Sequence, residues 1–219
     1  MKTSLGLSIL CGVSMLFASV SANASLLTFN GQSINALDLD GVSSSFEEFY
    51  DYRMVSANTG LEVVDTVVMY VAELAGEYAI FTTANKFGSG GVNGNLSVDI
   101  TATSGAVTFT DDPKEMPSAF EMMFQWAGNL TDGYIYSGMD SVFTFSAAMS
   151  SLKGINGVQF VDFLDGSFDS ASYSNVMDID GDFVISASAS DSASAVPEPS
   201  IILLLSLGLL SLFRRKVRS

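Results

Sequence analysis

Leu96-Ser97-Val98-Asp99-Ile100-Thr101-Ala102 alternates apolar and polar residues without a break. Successive side chains of a strand point to opposite faces. This period of two therefore puts Leu96, Val98, Ile100 and Ala102 on one face and Ser97, Asp99 and Thr101 on the other. It predicts a half-buried β-strand, and Ser104-Gly105 predicts a turn that brings Val107 and Phe109 back beside it as a hairpin. Further out, Phe120, Met122, Phe124 and Trp126 share a face, as do Phe143 with Phe145, Val158 with Phe160, and Phe183 with Ile185. In the run 61–71, Leu61, Val63, Val67, Met69 and Val71 lie on one side and Val64, Val68 and Tyr70 on the other. That pattern predicts a strand buried on both faces.

Turn residues punctuate these runs. Asn-Gly stands at 30–31, 93–94 and 156–157, and Asp-Gly at 40–41, 132–133, 165–166 and 180–181. Such pairs favour the positive-φ turns that hairpins require. About nine to eleven short strands at this spacing predict an all-β fold, a single antiparallel β-sandwich or jelly-roll-like domain. Regularly alternating amphipathic helices, which a parallel βαβ fold needs, are missing from the pattern. One short helix is predicted over 46–52, where Ser45 and Glu48 have capping-box spacing.

The 219 residues carry 24 acids, 9 bases, no histidine and one cysteine, for a net charge of −15. A histidine-based triad, a histidine general base and a Cys/His zinc site are excluded by that inventory. A strongly acidic chain also repels phosphates, so no nucleic-acid partner is expected. The bases are unevenly placed. Lys2 opens the chain, Arg214, Arg215, Lys216 and Arg218 crowd its end, and only Arg53, Lys86, Lys114 and Lys153 lie between.

Both basic ends adjoin apolar runs and read as addresses. Lys2, the apolar stretch 5–20 and Ala22-Asn23-Ala24 form a signal peptide over 1–24, with cleavage by signal peptidase expected after Ala24 at the small residues Ala22 and Ala24. Cys11 then leaves with it, and the mature chain has no thiol. At the other end Val196-Pro197-Glu198-Pro199 precedes an apolar segment over 200–213 and a basic tail over 214–219. The apolar segment covers about 20 Å as a helix, short of the roughly 30 Å hydrocarbon core, a gap that interfacial residues and local thinning can narrow. Arg214, Arg215 and Lys216 act as a stop-transfer cluster held in the cytoplasm, so the residues before the apolar segment are exported. Pro197 and Pro199 lack an N–H and disfavour helix in the residue before them, which keeps the motif extended and accessible. A plain stop-transfer anchor with a proline-containing turn is the simpler alternative.

This order of parts resembles the PEP-CTERM sorting signal of Gram-negative bacteria: a Pro-Glu-Pro motif, a short transmembrane helix and a basic tail. The resemblance covers 196–219 and implies recognition by exosortase, a membrane-embedded cysteine transpeptidase-like enzyme, with Pro197, Glu198 and Pro199 as the motif it reads. It also implies transient residence in the inner membrane, then passage to the cell surface or exopolysaccharide matrix.

Between the addresses, 25–185 is the expected β-rich exported domain, and the Ser/Ala-rich 186–195 a flexible stalk. Its candidate sites are few. Asp178, Asp180 and Asp182 flank a turn and are the calcium candidates, although the glycine precedes the third Asp and no Glu closes the loop, which favours an acidic hairpin turn. No other cofactor is expected. Glu47, Glu48, Glu121 and Asp162 are acids that a glycoside hydrolase could use, and Tyr50, Tyr52, Tyr134, Tyr136 and Trp126 are aromatics that could stack on sugar rings. The expected function is that of a non-enzymatic surface or matrix protein. Its rivals are a carbohydrate-binding module and a matrix glycoside hydrolase.

Overall fold

The computed structural model describes residues 26–112, 116, 118, 120–176 and 182–188. Among them the order is β1 (Leu26–Phe29), β2 (Gln32–Ser33), β3 (Leu37–Asp38), α1 (Phe46–Tyr50), β4 (Thr66–Leu74), β5 (Glu77–Ala84), β6 (Gly94–Ala102), β7 (Ala106–Thr110), β8 (Glu121–Trp126), β9 (Asp132–Ser137), β10 (Phe143–Lys153), β11 (Gly157–Phe163), a 3₁₀ turn (Phe168–Ser170), β12 (Ala171–Val176) and β13 (Asp182–Ser188). The strands form two sheets. One runs β2-β1-β13-β10-β6-β8, the other β12-β11-β4-β5-β9-β7, with β3 also paired to β4. β13 takes in Ser186–Ser188, the first three residues of the Ser/Ala stretch.

The inner faces of the two sheets share one apolar core. Val98 of β6, Phe124 of β8 and Phe145 of β10 come from one sheet; Val67 of β4, Ile80 of β5 and Phe160 of β11 come from the other. Aromatic rings meet across it: Phe29 stacks on Phe160 at 4.1 Å, Phe124 on Tyr134 at 5.5 Å, and Tyr136 meets Phe145 edge-on at 5.0 Å. Each such ring contributes roughly 1.5–3 kcal/mol through burial. A second core lies on the opposite face of the β4 sheet. There Val68, Tyr70 and Ala72 of β4, with Ala79 and Phe81 of β5, are covered by Leu37, Leu39, Phe46, Tyr50 and Leu61. This explains the run of buried residues along β4, whose first seven positions are all buried.

α1 begins where the capping signal lies, with the Ser45 hydroxyl accepting from the Glu48 N–H at 3.1 Å. The Glu48 carboxylate caps one residue further back than a strict box, on the Ser44 N–H at 2.7 Å.

Three expectations are corrected. The pairing is mixed, because β11 and β3 both run parallel to β4, β11 along Thr66–Tyr70 and β3 after it at Ala72 and Glu73. β11 follows β10, a strand of the other sheet, so no tight hairpin fixes its direction. Second, Ser104-Gly105 turns no hairpin: β6 pairs with β8 and β10, while β7 pairs with β9 in the other sheet. The turn is a corner between sheets, held by the Tyr136 hydroxyl donating to the Ser104 carbonyl at 3.0 Å. Third, several Asn-Gly and Asp-Gly pairs are not turns. Gly94 and Gly157 open β6 and β11, and Asp132-Gly133 opens β9. A Cβ on Gly94 would lie 2.0 Å from the Trp126 ring, so this glycine makes room for an indole.

Candidate functional site

One cleft gathers residues from both sheets and from the segment after α1. It is lined by Tyr52, Val55, Asp111, Asp112, Gln125, Trp126, Leu130, Thr131 and Asp132. β7 delivers Asp111 just past its last residue, β8 ends in Gln125 and Trp126, and β9 begins at Asp132. The rim comes from the loop after α1. There Arg53 and Ser56 exchange both backbone hydrogen bonds around Met54-Val55, which sit at φ 54° and 61°. Two consecutive left-handed residues are strained when neither is glycine and one is β-branched. The Asn58 side-chain amide holds that turn, facing the carbonyls of Asp51, Arg53 and Ser56 at 3.0, 3.2 and 2.8 Å. The buried Ser56 hydroxyl accepts from the Thr131 N–H at 3.1 Å and so fastens rim to floor.

At the centre, Asp111 and Asp132 lie against one another. The Gly133 N–H donates to Oδ1 of Asp132 at 2.8 Å and to Oδ1 of Asp111 at 3.3 Å. Oδ2 of Asp132 accepts from the Gln125 N–H at 2.9 Å, and the Tyr50 hydroxyl donates to Oδ2 of Asp111 at 3.4 Å. Among the described residues, no Lys or Arg lines the cleft. Burial pushes the Asp111 carboxyl up to about 9, reinforced by the hydrogen bond to Asp132 and by its charge. A proton between the two acids relieves the repulsion that two buried carboxylates would otherwise suffer. Burial also raises the Tyr50 phenol well above its ordinary range, with the Asp111 and Asp132 charges adding to it.

The other acids named from the sequence are dispersed. Glu47 and Glu48 are exposed on α1, and the Glu48 carboxyl is held below its usual range by the Ser44 hydroxyl and N–H. Asp162 accepts from the Asn35 N–H at 2.7 Å, and Glu121 opens β8 opposite Asp99. Of the five aromatics, Tyr50, Tyr134, Tyr136 and Trp126 are core residues, and Tyr52 alone is substantially exposed, at 40%. Asp182 opens β13 opposite Ala148. Asp178 and Asp180 lie outside the described residues, as do the signal-peptide positions Ala22 and Ala24, the motif 196–199 and the cluster Arg214, Arg215 and Lys216. Among the described residues no three Asp, Glu, Cys or His side chains converge as a metal centre of charged ligands, and no helix is long and apolar enough to cross a membrane.

Asp111 and Asp132 were not singled out by sequence reasoning. Asp132-Gly133 has the appearance of a turn, and its glycine serves close approach instead: a Cβ there would meet the Thr82 carbonyl at 2.4 Å and the Tyr50 hydroxyl at 2.6 Å. The available signal was the unbroken apolar run Tyr134-Ile135-Tyr136 directly after the pair, which reads as strand from its first residue.

No curated protein and no solved structure matches the chain. The family model for the PEP-CTERM protein-sorting motif matches residues 195–218, the whole of the motif, apolar segment and basic cluster apart from the last residue. The chain is thereby a protein bearing the PEP-CTERM sorting motif, which supports export, a membrane-anchored precursor and processing by exosortase.

Proposed function

We propose that the chain is a cell-surface or exopolysaccharide-matrix protein whose β domain works by binding or by structure and not by catalysis. The observation that carries the surface or matrix part of this reading is the sorting motif at residues 195–218. Two sheets packed through one core support a β-sandwich as the exported body.

The acids speak against the hydrolase rival. Glycoside hydrolysis requires two carboxyls about 5 to 10 Å apart, so that a sugar or a water fits between them. The pair brought together here is hydrogen-bonded carboxyl to carboxyl and leaves no such gap. Carbohydrate binding is favoured by one observation, the exposed Tyr52 at the rim of a cleft that also carries Gln125 and Asp112. Exposed aromatic faces beside amide and carboxylate groups suit sugar rings.

Replacing Pro197-Glu198-Pro199 by alanines and fractionating the cells tests the sorting reading. A larger form retained in the inner membrane is expected, and normal surface release would contradict it. Glycan arrays on the released protein and on Tyr52→Ala test carbohydrate binding, with loss of signal in the variant expected.

A further inference from the structure

We propose that a second cleft, between Trp126 and Lys153, binds a uronic-acid unit of a saccharide, with the sugar carboxylate on the Lys153 ammonium. The cleft has a volume of about 420 Å³ and is lined by polar groups of Asn93, Asn95, Gln125, Trp126 and Lys153. It shares Gln125 and Trp126 with the Asp111–Asp132 cleft and otherwise draws on the start of β6 and the end of β10. β10 is bulged at this point: Ser150 pairs with Ser97 but Lys153 with Asn95, and Ser151 between them sits at φ 56°. The Asn95 amide holds the bulge by donating to the Ser151 carbonyl at 3.1 Å. Bulges re-aim side chains and gather beside binding sites, and this one sets Lys153 opposite Asn95.

A second observation points to a ligand. Trp126 is 3% exposed, and its indole N–H has no hydrogen-bond partner. Its Cε2, the carbon bonded to that nitrogen, packs over Gly94, where a Cβ would lie 2.4 Å away, and Gly94 belongs to the cleft wall. The N–H edge of the ring therefore borders this cleft, while the rest of the ring is spent in the core. A buried donor without an acceptor is costly, and an oxygen entering the cleft satisfies it. The amides are half used. Asn93 accepts from the Gly128 N–H at 2.8 Å through Oδ1, which leaves its Nδ2 to donate, and Asn95 spends Nδ2 on the bulge, which leaves its Oδ1 to accept. An ammonium, an indole N–H and an amide donor beside one amide acceptor suit a ligand with a carboxylate and several hydroxyls. A phosphate is better served by a bidentate arginine, and none lines this cleft among the described residues. The volume falls within the roughly 300–1,000 Å³ of small-molecule sites. The acidic surface around it repels a long polyanion, so the site suits a short acidic unit. That such sugars are met outside the cell rests on the export reading above, whereas the binding itself does not.

The test titrates the full-length chain in detergent with trigalacturonic acid and, separately, with its methyl ester, which keeps the sugar and removes the charge. Calorimetry gives the affinity, and the indole N–H resonance of the single tryptophan reports the cleft. Saturable binding of the acid is expected, with a downfield move of the indole resonance. The ester is expected to bind about fivefold more weakly, the size of one exposed charge pair. Lys153→Gln, a change at an exposed position checked by its thermal melt, is expected to lose the same factor for the acid and nothing for the ester. Tyr52→Ala is expected to leave both unchanged. Absent binding, equal affinity for acid and ester, full affinity in Lys153→Gln, an unmoved indole resonance, or loss of binding in Tyr52→Ala would each overturn the proposal. Failure of this titration leaves the localisation experiment and the Tyr52 arrays standing, and their failure leaves the titration standing.

Discussion

The carboxylates of Asp111 and Asp132 meet at one backbone N–H, that of Gly133, at 3.3 and 2.8 Å. Asp111 follows β7, Asp132 opens β9, and Gln125 of β8 donates to Asp132 from the other sheet. Asp132 therefore ties the two sheets together at one end through Gln125, while Asp111 joins it from the neighbouring strand of its own sheet.

Burial holds the Asp111 proton up to about pH 9, whereas an unfolded aspartate releases it near pH 4. Across that window the folded chain binds one more proton than the unfolded chain. This contribution to stability is complete below the unfolded pKa and is lost as pH rises through the folded pKa. Asp111→Asn keeps the shape and a donor toward Asp132 while removing the titration. Thermal melts are expected to show a flatter pH dependence for the variant, and a gain on the order of 2 kcal/mol near pH 8. A variant with the parent's pH slope would count against the shared proton.

The rim turn carries strain that can be relieved. Met54 and Val55 occupy the two left-handed positions that Asn-Gly fills at ease. The double change Met54→Asn with Val55→Gly is expected to raise stability by about 1–2 kcal/mol in urea unfolding. A loss of stability would mean that the two apolar side chains contribute packing that their exposure, 74% and 65%, does not reveal.

Gly94 and Trp126 form a tight contact across β6 and β8. Gly94→Ala places a methyl 2.0 Å from the indole ring, so the ring must move. A red shift of tryptophan emission and a loss of about 1–3 kcal/mol are expected. Because the chain has one tryptophan, the spectrum reads this site alone.

Strands announced by period two were legible in the sequence. β6 alternates as its residues do, and the both-faces burial of β4 follows from apolar residues on each side from Thr66 on. Leu61 and Val63, in contrast, precede the strand and pack with Val68 and Tyr70 instead of with Val67. What covers the outer face of β4 was less visible, because Leu37, Leu39 and Tyr50 sit in short elements too brief to show a period. Turn dipeptides misled where a glycine serves close approach, at Gly94 and Gly133, and the actual β4–β5 turn is Ala75-Gly76, with φ 53° and 81°, which carries no Asn or Asp. The acid pair was illegible because its members lie 21 positions apart and meet only through the pairing of β7 with β9, which skips the intervening β8 in the other sheet. The sorting tail, in contrast, is a linear signal read by another protein, and a linear signal needs no fold to be seen.

Residue composition at the two ends supplies the most direct measurement. The protein is purified from the cell surface or matrix, and its intact mass and terminal peptides are determined. A chain beginning at Ser25 and lacking the Arg214-Arg215-Lys216 segment is expected, as two-ended processing requires. A surface form that retains the full basic tail would contradict delivery by cleavage at the PEP-CTERM motif.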